Sequence, residues 1–289
     1  DADLQRHVFQ LKNVTPIDRL HQFIQDYLYD YEKNDPPLIS SSPQEEYFLQ
    51  HHLQTIETSD NRVLSWKEIQ YLWKDFLSIN KLPQHLYYSF YKKLFVEKCF
   101  PGKYNAETDR FSPLGSSQIP LIQKFLRFWS ETIIEDNNVY AELESEEISY
   151  LFRKWLNQSG TNKKAKYMLK ESKILDILTY FHPELEIVDN KYVYYVRNYL
   201  WDKEMEIETA LNTLRESKDD EIAYPSVSLY DAYQYYCKFH NRQQDTKPLL
   251  VSKSYFEKYI THHYGSYLDH NHIFMEKWFG KESEHFLLA

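Results

Sequence analysis

The residues with the clearest chemical potential are two groups of cations. Residues 161–173 hold Lys163, Lys164, Lys166, Lys170 and Lys173 against one acid, Glu171. Residues 238–258 hold Lys238, Arg242, Lys247, Lys253 and Lys258 against Asp245 and Glu257. Ammonium groups meet phosphates as point charges, positioning a protein on nucleic acid without reading its sequence. A second candidate chemistry is stacking. Tyr192, Tyr194, Tyr195 and His272 fall where hairpin tips are expected, and aromatic rings there suit exposed bases.

Other chemistries find little support. The five glycines are scattered, with no G-x-x-x-x-G-K-[ST] or G-x-G-x-x-G string, so a P-loop or Rossmann nucleotide site is excluded. Two cysteines, Cys99 and Cys237, rule out a disulfide scaffold and a cysteine-rich zinc site. Cys237, His263, His270 and His272 would converge only if a hairpin folds back on the helices, and no H-E-x-x-H string exists. The neighbouring acids Glu45-Glu46, Glu146-Glu147 and Asp219-Asp220 diverge on a helix, and no G-x-S-x-G elbow is present. The reading therefore assigns no catalytic residue, no metal and no cofactor. A net charge of -9 argues against broad electrostatic coating of nucleic acid, leaving only local patches.

The elements that would carry these residues repeat. Residues 64–77 (LSWKEIQYLWKDFL) align without gaps to residues 143–156 (LESEEISYLFRKWL), 79 positions on. From Ile69 or Ile148, apolar residues recur at i+3, i+4, i+7 and i+8, one face of a helix. Residues 227–239 (VSLYDAYQYYCKF) form a weaker third copy, with Ala232, Tyr235, Tyr236 and Phe239 on that face. Each copy opens with a Ser or Glu suited to a helix N-cap or first turn. Copies two and three continue as loop, second helix and hairpin, the hairpins turning at Asp189-Asn190 and near Asp269. Helix, loop, helix, hairpin is the order of a winged-helix unit. In a helix-turn-helix the second helix enters the major groove, and that is where the cation groups fall.

The first copy is less complete: its second helix is expected over 86–96, followed by an extended piece centred on Phe111. An amphipathic helix over 121–129 closes that copy. Residues 202–221 carry eight acids against three bases and read as an exposed helix, with Ile207, Leu211 and Leu214 inward, and a linker. The expected fold is mainly α with small β-hairpins: tandem helix-turn-helix or winged-helix-like units after a helical N-terminal segment. The expected domains are 1–60 (helical lead-in or docking segment, including a short helix after Ser42-Pro43), 61–140, 141–221 (with the acidic helix) and 222–289. No apolar run is long enough for a membrane span.

Residues 229–238 (LYDAYQYYCK) followed by 251–259 (VSKSYFEKY) resemble the winged-helix tail of giant-virus and poxvirus-type primase-helicases, whose motor is a superfamily 3 ATPase. The likeness covers about residues 143–280. It implies a non-catalytic DNA-binding or accessory region of a viral replication helicase-primase, working in the cytoplasm or nucleus of an infected cell, and the two cysteines fit a reducing environment. The implied partners are DNA, duplex or single-stranded, and an ATPase/primase portion lying before Asp1. The DNA contacts expected are Lys163, Lys164, Lys166, Lys170, Lys173, Arg242, Lys247, Lys253, Lys258, Tyr192 and Tyr194. The competing expectation is a protein-interaction or scaffold module that binds no nucleic acid.

Overall fold

The computed structural model describes residues 14–32, 62–83, 88–158, 169–216, 226–243 and 249–280. The chain is mainly helical with small antiparallel sheets. It divides into two compact units, Asp1–Leu126 and Arg127–Ala289. None of the described helices is long and apolar enough to cross a membrane.

In the first unit, α1 (Pro16–Tyr27) leads into β1 (Tyr29–Asp30). Then come β2 (Leu64–Ser65), α2 (Trp66–Ile79), α3 (Tyr88–Leu94) with a π-helical turn at Phe95–Cys99, β3 (Tyr104–Asn105), β4 (Arg110–Phe111) and β5 (Leu114–Gly115). The sheet order is β2-β4-β3, so the strand before the helix pair lies beside the last strand of the hairpin. Thr15 with Asp18 and Ser65 with Glu68 close capping boxes on α1 and α2, satisfying amides that a helix start leaves without partners. The leading helix α1 packs on α2 through Phe23, whose ring lies 5.3 Å from Trp73 and 5.7 Å from Phe76.

Helix α4 (Ile119–Thr132) spans the division. The second unit continues with β6 (Ile133–Glu135), β7 (Glu142–Glu144), α5 (Ser145–Gln158), α6 (Glu171–Phe181), β8 (Ile187–Val188), β9 (Tyr192–Tyr194) and β10 (Val196–Asn198). The sheet order is β7-β9-β8, the same plan again. A third copy follows: α7 (Lys203–Glu216), an isolated bridge at Ser228, α8 (Leu229–Gln243), α9 (Lys253–Tyr264) and a closing turn in which Ser228 bridges Ile273 and Leu268 bridges Phe274.

One hydrogen bond recurs in all three copies. The first amide of the first helix donates to the carbonyl just before the hairpin's last strand: Trp66 to Asp109 at 2.9 Å, Ser145 to Lys191 at 2.9 Å and Leu229 to His272 at 3.0 Å. The inner strand pairs Leu64 with Phe111 and Leu143 with Val193, all buried, and the Phe274 amide reaches the Val227 carbonyl at 2.9 Å. Backbone at positive φ makes the turns possible at Asp109, Asp189, Asn190 and His272, residue types that tolerate that region better than most.

The grouping of helices differs from the sequence reading. In the structure α4 contributes Phe128 to the second copy, 5.4 Å from the Phe152 ring and 6.0 Å from Trp155. The acidic segment forms α7, which packs on α8: Tyr236 Oη donates to Glu206 at 3.3 Å, and Ile207, Ala210, Leu211 and Leu214 are buried. Each copy is thus led by a helix, and the first copy does possess a hairpin, formed by β3 and β4. The short helix expected after Ser42-Pro43 lies outside the described residues.

Candidate nucleic-acid interface

Lys163, Lys164, Lys166 and Lys247 lie outside the described residues. Arg242 lies in the last turn of α8. Lys170 is exposed at the N-cap of α6, its carbonyl accepting from the Ile174 amide at 3.0 Å, and Lys173 is half-buried one turn on. Lys253 opens α9, half-exposed, 5.5 Å from the Tyr230 ring centre and 3.4 Å from Glu257.

Lys258, Tyr192 and Tyr194 are brought together, along with acids the sequence did not single out. The Glu-Leu-Glu alternation of β7 turns Leu143 into the core and places Glu142 opposite Tyr194 and Glu144 opposite Tyr192 across the ladder. Helix α9 of the third copy lies against that pair of strands. Its Lys258 Nζ donates to Glu142 Oε2 at 2.6 Å and to Tyr194 Oη at 3.4 Å, and stands 5.2 Å from the Tyr194 ring centre. Burial opposes the Lys258 charge, but the Glu142 hydrogen bond overrides it and lifts the pKa above the usual lysine value. Lys191 pairs with Glu144 at 2.8 Å, and that hydrogen bond raises its pKa strongly.

A third pair is deeper. Lys203, at the start of α7, donates to Glu147 at 2.6 Å and to the Glu142 carbonyl at 2.9 Å, both side chains almost fully buried. Its ammonium also lies 4.4 Å from the Tyr255 ring centre and 4.9 Å from Trp201. Burial pushes the Glu147 carboxyl up while Lys203 pulls it down. Three Lys–Glu pairs thus connect β7 and the α5 start with the hairpin, α7 and α9.

Beside Lys258 a cleft of about 910 Å³ opens between α9 and the third hairpin. Tyr230, Ser254, His262, Asn271 and His272 line it, and Val139 and Tyr140 form part of its wall. Tyr140 is fixed there: His263 Nε2 is 2.9 Å from its hydroxyl, and the Tyr259 ring lies edge-on at 5.5 Å. Burial, with Glu204 adding to it, pushes the Tyr140 pKa up to about 12. Among the described residues no three His, Cys, Asp or Glu side chains converge as metal ligands, so Cys237, His263, His270 and His272 are not gathered. Comparison with protein-family models, curated proteins and solved structures finds no match.

Proposed function

We propose that this chain is a non-catalytic nucleic-acid-binding accessory region built of three winged-helix-like units. The observation that carries this reading is the order of leading helix, strand, helix, helix, strand, strand, with the first strand beside the last, seen twice in full and a third time with isolated bridges in place of strands. That is the order in which a winged helix presents its third helix and hairpin to DNA. In the second unit α6 offers Lys170 and Lys173 next to the lysine-rich residues 161–168. Engagement there is duplex binding dominated by phosphate contacts. The ATPase or primase partner implied by the viral resemblance belongs to the same proposal.

Fluorescence anisotropy with a short labelled duplex at low and physiological salt tests it. Binding should weaken steeply with salt, and reversing Lys163, Lys164 and Lys166 together to Glu should weaken it alike for unrelated sequences. Failure to bind either duplex or single strands at low salt overturns it. A second reading, a protein-docking module, is favoured by one observation: Lys258 and Lys253 are already paired with Glu142 and Glu257.

A further inference from the structure

The third copy departs from a duplex-reading geometry. A helix entering a major groove about 12 Å wide must present an open, projecting face. Helix α9 does not. Phe256 and Ile260 are buried in its core side, and Tyr255, Tyr259 and His263 are held by Tyr140. Lys258 is drawn to Glu142. What remains open is the cleft between this helix, the hairpin and residues 139–140.

The cleft is lined by aromatic rings and polar groups, with Lys258 the cation on its wall. Its volume lies within the roughly 300–1,000 Å³ of small-molecule sites. Tyr230 is 55% exposed, with Lys253 over one face of its ring, and His272 is exposed on the wall, while the His262 ring already lies 5.1 Å from that of Tyr140; Tyr230 and His272 are thus the rings that offer a stacking face. Asn271 offers an amide for base edges, Ser254 and Thr261 offer hydroxyls, and Lys258, its side chain 37% exposed, brings an ammonium with a third donor beyond those given to Glu142 and Tyr194. Glu257 lies on this wall too, offset by Lys253.

We propose that this cleft holds a nucleotide of an unpaired nucleic-acid strand, its base stacked on Tyr230 and His272 and its phosphate directed to Lys258. The proposal rests on the nucleic-acid reading above and gives the two neighbouring copies different substrates: duplex for α6, single strand for the α9 cleft.

The test uses the full chain with labelled oligothymidylate, a blunt duplex and thymidine monophosphate as probes. Tyr230→Ala and His272→Asn are the variants, Asn being chosen because His272 sits at a φ of 58° that Asn accommodates. Each should weaken oligothymidylate binding about tenfold and leave duplex affinity unchanged. Equal loss on both probes, or no loss on the oligonucleotide, overturns the cleft assignment. Duplex binding without oligonucleotide binding overturns it while the broader reading stands. Binding to neither overturns both. Thymidine monophosphate competing as well as the oligonucleotide overturns the strand and leaves a free-nucleotide site. Lys170→Glu with Lys173→Glu should do the opposite of Tyr230→Ala, weakening the duplex and sparing the oligonucleotide.

Discussion

Glu142 and Lys258 stand 116 positions apart in the chain, yet their charged groups meet at 2.6 Å, the Glu142 side chain wholly buried and the Lys258 side chain 37% exposed. The asymmetry in exposure predicts an asymmetry in mutants. Lys258→Met strands a buried carboxylate and should cost about 3 kcal/mol. Glu142→Gln leaves an ammonium that can turn to water and should cost nearer 1 kcal/mol. Denaturant unfolding of the two variants checks the order; equal costs would contradict it.

Lys203 and Glu147 offer no such escape, since both are buried. Either single change, Lys203→Met or Glu147→Leu, is expected to cost about 3–5 kcal/mol, and the double variant clearly less than their sum. A double-mutant cycle by chemical denaturation reads the coupling directly.

At the start of α8, Ser228 and Asp231 cap each other: the Asp231 amide donates to Ser228 Oγ at 3.1 Å, and the Ser228 amide and hydroxyl donate to the Asp231 carboxylate. The hydrogen bonds from Ser228 hold the Asp231 pKa below its ordinary 3.8. A depressed folded-state pKa stabilises above the unfolded value and is lost as pH falls through the folded one. The wild-type protein should therefore lose this contribution below about pH 3.8. Asp231→Asn lacks the titrating group, so the gap in melting temperature between the two should narrow from pH 6 to pH 3. Ser228→Ala should cost about 1 kcal/mol at neutral pH.

In the first unit Gly115 pairs with Tyr29 across β1 and β5. A Cβ there would overlap the Tyr29 ring and come within 2.8 Å of Tyr31. Gly115→Ala should destabilise the protein by about 1–3 kcal/mol, measurable by thermal unfolding, and relief by Tyr29→Leu would identify the clash.

The local logic of the fold was readable in the sequence. The gapless match of residues 64–77 to 143–156 corresponds to α2 and α5, and Asp189-Asn190 does turn a hairpin. The hairpin of β3 and β4 leaves no such mark in the sequence, because its loop, residues 106–109, contains no glycine and no Asn-Gly pair. Helices α4 and α7 were legible as amphipathic, but their stripes show which side is buried and not against what. Phe128 and Ile207 therefore gave no sign that each helix leads the copy that follows. The site was harder still. Lys258 reads as a surface cation until Glu142, far upstream, is placed beneath it, and no local pattern reports a contact over that separation. The Glu-Leu-Glu alternation of residues 142–144 was the one available hint that two acids share a strand face.

The recurring bond from the first helix's opening amide to the carbonyl before the last strand has a consequence for how such a chain grows. Within each copy it keeps the strand that enters the helix pair beside the strand that closes the hairpin: β2 beside β4, β7 beside β9, Ser228 beside Ile273. A segment whose ends already meet can be duplicated as one contiguous stretch of coding sequence, without rethreading its neighbours. The gapless 79-position match between the first two copies is what such a duplication would leave, and the third copy keeps the same closure with single bridges in place of strands.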